Sequence, residues 1–252
     1  MTTETRLHTF QEKNNSVYAL DIHPDASKFA TAGKDASIRI YDESSKTCIL
    51  KLKKGEGYGV NCTAGHSNRI FCVKYHPNEY NIVLSGGWDN NVIIWDTRSG
   101  RAERSLNGPH ICGEAIDIQG NHIVTGSWRT KQPIDIWDFT SGRIIKSDFY
   151  SDPNEEVSML YAAAFSRHGL KMIDEPEYMV TGGSGINEAR LFHFNHCEQN
   201  IEIIDKPIAV DHAIYSVAFS PTDDKFVLAG ENGLIHLFDI LKFSGSKSLD
   251  IY

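Results

Sequence analysis

The sequence predicts an all-β propeller of five four-stranded blades, on three observations. Five stretches, TAGKDASIRIYD, SGGWDNNVIIWD, TGSWRTKQPIDIWD, TGGSGINEARLFHF and LAGENGLIHLFDI, each run from a Gly-bearing turn into a strand ending on an aromatic residue. The closing aromatics Tyr41, Trp95, Trp137, Phe192 and Phe238 are about 54, 42, 55 and 46 residues apart, close to the ~40–45 residues of a propeller blade. The strands before those aromatics are apolar without alternation, as in Val92-Ile93-Ile94-Trp95. Such strands need cover on both faces, which stacking between neighbouring blades supplies. Finally, the turns His23-Pro24, His76-Pro77 and Ser220-Pro221 recur at one point of the repeat, where Pro presets a turn and removes a donor the sheet does not need.

The blades are expected over 14–53, 66–107, 111–149, 158–205 and 213–252, in one domain covering 1–252. In the second, RIFCVKYHP is the first strand and its exit turn, NIVLSGG the second, NVIIWD the third and RAERSL the fourth. Two segments compete to be a sixth fourth strand: Thr5–Phe10 (TRLHTF) and Lys247–Tyr252 (KSLDIY). Five blades need only five, so one is surplus.

A chain of 252 residues with 40% apolar and 23% charged residues has an ordinary globular composition. Its formal charge of −8 argues against non-specific binding to nucleic acid or an anionic membrane. No stretch reaches the ~18 apolar residues of a membrane span. Five widely spaced cysteines without a CxxC pair suit a reducing compartment; the cytoplasm is expected, with the nucleus or cilium as alternatives. Cys48, Cys72 and Cys197 read as buried thiols on strands, Cys62 and Cys112 as loop cysteines.

The second repeat resembles the tryptophan–aspartate (WD) repeat family, with Gly65-His66 opening the blade and Trp95-Asp96 closing it. The resemblance implies a buried structural tetrad of His66, Ser85, Asp89 and Trp95, in which the indole donates to the serine, the serine to the histidine and the histidine to the carboxylate. The other repeats keep parts of it: Thr31, Asp35 and Tyr41-Asp42; Thr125 and Trp137-Asp138; Thr181 with Phe192; and Phe238-Asp239, with Ala229 at the hydroxyl position. The strings GHSNRIF, SGGWDN, GPHICG, TGSWR and GGSGINEA are similar to a subgroup of stand-alone WD-repeat proteins of protists and invertebrate animals. That likeness sharpens the fold more than the function. Rings of this family usually hold seven blades, so the simplest reading of the surplus strand places Thr5–Phe10 in a further blade and makes these five part of a larger ring. The alternative is a five-bladed ring with a loose tail.

By the family's geometry one rim carries the loops entering each blade (54–68, 107–113, 150–160, 205–214) and the turns at 33–36, 86–90, 127–133, 183–188 and 230–233. Tyr58, Arg69, Trp88, His110, Trp128, Arg129, Tyr161 and Tyr215 fall there, of types that dominate binding hot spots. They are the expected contacts for other proteins or peptide segments. A partner covering an open blade edge is also expected if the ring is incomplete.

Enzymatic readings find no footing. GEGYG (Gly55–Gly59) lacks the spacing of a dinucleotide loop, and TGGSG (Thr181–Gly185) lacks the Lys-Ser/Thr of a phosphate loop. The eleven histidines show no metal-ligand spacing. The expected function is therefore a non-enzymatic interaction scaffold without cofactor or metal. The alternative is a structural subunit of a cytoskeletal or ciliary assembly, held by its sides or open edge.

Overall fold

The computed structural model describes residues 6–55, 64–147, 156–167, 178–195, 200–204, 208–222 and 224–240. Among these residues twenty strands form five antiparallel sheets, each built from consecutive strands. Sheet one holds β1 (Val17–Ile22), β2 (Lys28–Gly33), β3 (Ile38–Asp42) and β4 (Thr47–Leu52). Sheet two holds β5 (Ile70–Tyr75), β6 (Ile82–Gly87), β7 (Asn91–Asp96) and β8 (Arg101–Asn107). Sheet three holds β9 (Ile116–Gln119), β10 (His122–Gly126), β11 (Ile134–Asp138) and β12 (Ile144–Lys146).

In sheet four, β13 (Met159–Phe165), β14 (Tyr178–Ser184) and β15 (Glu188–Asn195) are followed by two short strands on one edge, β16 (Asn200–Ile203) and β17 (Ile208–Ala209), which pair with opposite ends of β15. Sheet five shows β18 (Ile214–Phe219), β19 (Lys225–Gly230) and β20 (Ile235–Asp239). Its expected fourth strand, 247–252, lies outside the described residues, as do Cys62 and Cys197.

Each sheet packs face to face on the next. The four hydrophobic clusters lie between sheets one and two, two and three, three and four, and four and five. The third strand of sheet two shows why its sequence does not alternate. Ile93 and Trp95 pack in the cluster toward sheet one, while Val92 and Ile94 pack in the cluster toward sheet three. Sheet five gives the converse case, since Ile235 and Leu237 are 74% and 66% exposed while Phe226 and Leu228 face sheet four and are buried. No comparable packing of sheet five on sheet one occurs among the described residues.

Two expectations fail. Residues 6–10 form no strand; Phe10 instead stacks edge-on against Phe29 and Tyr41, with ring centroids 5.2 and 4.8 Å apart. Ring contact with Phe29 and Tyr41 takes the place of ladder pairing there. Cys48 is exposed rather than buried, because it shares a face with Tyr41 and Ile22 that points away from sheet two.

A single device recurs at the start of the first strand. In sheets one, two, four and five the pairing of first and second strands slips by one residue, bulging out Tyr18, Phe71, Tyr161 and Tyr215. Opposite each bulge stands a glycine: Gly33, Gly87, Gly183 or Gly230. A Cβ on any of them would lie 2.0–2.3 Å from the backbone oxygen of Ser16, Arg69, Met159 or Ala213. In three of the four, the residue after the glycine donates its amide to that same oxygen, at 2.9–3.0 Å. The glycine of the repeat is therefore required by close backbone approach. Sheet three pairs without a slip; it has Ser127 at the glycine position and exposed Glu114 where the aromatic would be.

Candidate functional site

In sheet two the four tetrad side chains are hydrogen-bonded in series. Trp95 Nε1 donates to Ser85 Oγ at 2.8 Å, Ser85 Oγ lies 2.7 Å from His66 Nε2, and His66 Nδ1 lies 2.9 Å from Asp89. The Ser67 amide donates to the same carboxylate at 2.9 Å. Burial opposes the charge of Asp89, but the hydrogen bond from His66 and then its Coulombic attraction outweigh it, and the carboxyl is held below its ordinary range. The closing aspartates have a separate task. Asp42, Asp96 and Asp138 accept the amides of Ser45, Arg98 and Ser141 at 2.7, 2.8 and 2.5 Å, fixing the turn into the fourth strand.

In sheets one, three and four, where the tetrad is incomplete, an ion pair includes a residue of the third strand. In sheet one Glu12 fills the gap left by the absent histidine. It accepts Thr31 Oγ1 at 2.5 Å, Tyr41 OH at 3.1 Å and Arg39 at 2.9 Å, and Arg39 also pairs with Asp35 at 2.5 Å. Burial, then the Glu12 charge, push the Tyr41 phenol up to about 12. In sheet three Trp137 donates to Thr125 at 2.9 Å, and buried Asp135 takes Arg129 at 2.7 Å. In sheet four Arg190 and Glu188 pair at 2.7 Å, both buried. The Phe192 ring has no N–H to give as an indole does, and the buried Thr181 hydroxyl is left without a hydrogen-bond partner. Strand register places Leu228, not Ala229, at the hydroxyl position of sheet five, because Leu228 faces Val217 as Ser85 faces Val73. A cavity of about 230 Å³ lined by Val210, Ile214, Leu228, His236 and Phe238 lies there.

The rim is built differently. Antiparallel alternation brings the starts of the first strands and the second-to-third turns to the same end of every sheet. There four rings from sheets one to three line up. Tyr18 stacks on Phe71 (4.9 Å, 5° between planes), Phe71 meets Trp88 tilted (5.0 Å, 32°), and Trp88 stacks on His110 (6.4 Å, 12°). The Arg69 guanidinium lies 5.1 Å from the Trp88 ring. Trp88 is fixed by its indole N–H to Cys112 Sγ at 3.1 Å, and His110 by Asn90 at 2.6 Å. Tyr18 and Trp88 remain 40% and 38% exposed.

Of the residues singled out in the sequence, this row gathers Arg69, Trp88 and His110. Tyr161 and Tyr215 meet as a second pair, edge to face at 5.3 Å. Trp128 is exposed at its own turn, while Arg129 is tied to Asp135 and to the Gln132 carbonyl. Tyr58 lies outside the described residues. Sequence reasoning missed Tyr18 and Phe71; the available signal was their position, the same as that of Tyr161 and Tyr215, at the bulge opposite the repeat glycine.

Below the bulges, the first strands carry Asp21, Lys74 and Asp117 at one equivalent position. Asp21 accepts the Tyr75 amide of the next sheet at 2.6 Å, and Asp117 the Phe165 amide at 2.8 Å. Burial raises Asp21 above its ordinary value. Burial also works against the Lys74 charge, but Cys72, Asp117, Asp21 and Glu114 together prevail and raise it. These charges stitch neighbouring sheets. Among the described residues no group of three or more His, Cys, Asp or Glu is arranged to hold a metal ion.

Residues 4–42, 57–96 and 205–239 match the family described as WD domain, G-beta repeat. Three segments of the chain therefore carry WD repeats. It is similar to a striatin homolog of Dictyostelium discoideum, 34% identical over 94 residues, which is 37% of this chain and 10% of that protein. It is similar to Cilia- and flagella-associated protein 52 of Homo sapiens, 26% identical over 146 residues, covering 56% of this chain and 21% of the relative. The mRNA export factor GLE2 of Chaetomium thermophilum is 21% identical over 239 residues, covering 90% and 59%. The chain thus spans less than two thirds of each of these relatives. WD-repeat proteins generally mediate protein–protein interactions, and among the described residues no arrangement points to catalysis.

Proposed function

We propose that the chain is a non-enzymatic scaffold that binds peptide segments of other proteins on the rim carrying Arg69, Trp88, His110 and Trp128. The observation that supports this reading is the aromatic row running from Tyr18 to His110. Its rings are held by the fold through their neighbours, yet keep solvent-facing surface. Preorganised aromatic and Arg side chains are the groups that give the most binding free energy per residue at interfaces. A cytoplasmic location, with the cilium or nucleus as alternatives, and partners that are proteins rather than nucleic acid or membrane fit the formal charge of −8. No helix among the described residues is long and apolar enough to cross a membrane.

The test is an affinity pull-down comparing the wild type with an Arg69→Ala/Trp88→Ala/Trp128→Ala variant. Arg129 is left intact because it forms an ion pair with buried Asp135, and its removal would test the fold as well as the rim. Loss of partners with an unchanged melting temperature supports the rim; an unchanged partner list from a folded variant refutes it. A second reading, a structural subunit of a ciliary or cytoskeletal assembly, draws on the likeness to Cilia- and flagella-associated protein 52 and on the open face bearing Ile235 and Leu237. Co-sedimentation with microtubules at moderate salt tests it, and a protein left in the supernatant counts against it.

A further inference from the structure

Building on the rim reading, we infer that the row Tyr18–Phe71–Trp88 takes a proline-rich segment in the polyproline II conformation, with an acidic residue of that segment meeting Arg69. The ring spacing comes first. The steps of 4.9 and 5.0 Å put Tyr18 and Trp88 at most about 10 Å apart, on either side of Phe71. A polyproline II helix rises ~3.1 Å per residue with three residues per turn, so positions i and i+3 recur about every 9.3 Å. Two prolines three apart therefore reach Tyr18 and Trp88, with Phe71 between them. Such a segment has no internal hydrogen bonds and loses little conformational freedom on binding, so apolar ring contacts and few polar ones suffice.

The polar groups set the sign of the partner. The Trp88 indole N–H is already given to Cys112 and cannot serve a ligand carbonyl. Tyr18 and Arg69 are the remaining donors on the row. Arg69 lies against the Trp88 ring and forms no ion pair among the described residues, so its guanidinium is held in place for a carboxylate. The same cation disfavours a Lys- or Arg-bearing segment, which would have to share the Trp88 ring with a like charge. The formal charge of −8 disfavours single-stranded nucleic acid, which also uses stacked aromatics but needs a basic groove.

The test measures fluorescence anisotropy of three labelled decapeptides against the full chain: a proline peptide with one central Glu, the same peptide with Lys in place of Glu, and a Gly/Ser peptide with Glu. The expected order has the Glu–proline peptide at least about tenfold tighter than either control. Trp88→Ala is expected to remove that binding at least about tenfold. Arg69→Ala is expected to bring the Glu and Lys peptides level. Tyr18→Ala, half-exposed on an end strand, gives a second variant should Trp88→Ala lower the melting temperature. Tighter binding of the Lys peptide, equal binding of the Gly/Ser peptide, or no binding of any peptide overturns the inference. If the pull-down variant still loses its partners, the rim reading survives that failure; if the partner list is also unchanged, both fall.

Discussion

Replacing Glu12 by Ala gives the sharpest test of how sheet one is held. Its side chain is 5% exposed and accepts from Thr31, Tyr41 and Arg39 at once. Removing it leaves two buried hydroxyls without that acceptor, each worth ~1–3 kcal/mol if unsatisfied. Arg39 keeps Asp35, so the full ~3–5 kcal/mol of a broken buried pair does not apply. Water entering from the exposed side of sheet one lowers the total further, and about 3 kcal/mol is expected. Stacked repeats need not unfold in one step, so the assay should locate the loss. Amide hydrogen exchange is expected to quicken in Phe29–Asp42 while Val92–Trp95 keeps its protection, with the first urea transition moving to lower concentration. A change below ~1 kcal/mol, or one shared equally by all sheets, would refute the claim that Glu12 serves sheet one as the His66 network serves sheet two.

Four further outcomes follow from the same geometry. Asp89→Ala should lower stability by ~1–3 kcal/mol through the partners it strands, read as a shift of the urea midpoint, with little effect on rim binding. Because the Asp89 carboxyl is depressed in the fold, its stabilisation is complete above the ordinary carboxylate range and is lost as pH falls through its lower folded value; an Asp89→Asn variant should therefore lose less stability than the wild type between pH 5 and 3. Thr181→Val removes an orphaned hydroxyl from a fully buried site and is expected to raise the melting temperature, by up to ~1–3 kcal/mol in equivalent stability. Leu228→Ser places a hydroxyl in the apolar gap between sheets four and five and is expected to cost about 2–5 kcal/mol in urea unfolding.

The repeat was legible because its chemistry sits in short strings. Gly-bearing turn, third strand and closing aromatic fall within one stretch of sequence, and the tetrad of sheet two keeps all four residue types. Glu12 was not legible, because its partners are 19–29 residues away and no sequence string marks a glutamate that replaces a histidine. Leu228 was misplaced by one position because LAG aligns with SGG only once the bulge at Tyr215 fixes the register. Tyr18 and Phe71 read as ordinary strand residues. Their exposure comes from a slip in pairing, which local sequence alternation does not encode. The extra strand over Thr5–Phe10 was inferred by counting, and the half-buried Phe10 ring packs on Phe29 and Tyr41 without pairing.

The glycines opposite the bulges give the rim an unusual genetics. A methyl group at Gly87 would strike the Arg69 carbonyl, and relief of that clash would have to move Phe71 and Arg69 together. Loss-of-binding alleles should then collect at turn glycines that never touch a ligand, alongside the expected ones at Trp88. Sheet three has neither the bulge nor the glycine at that position, so its rim does not depend on this close approach. Its Glu114 divides the rim into two aromatic segments, Tyr18–His110 and Tyr161–Tyr215, each free to diverge in what it recognises.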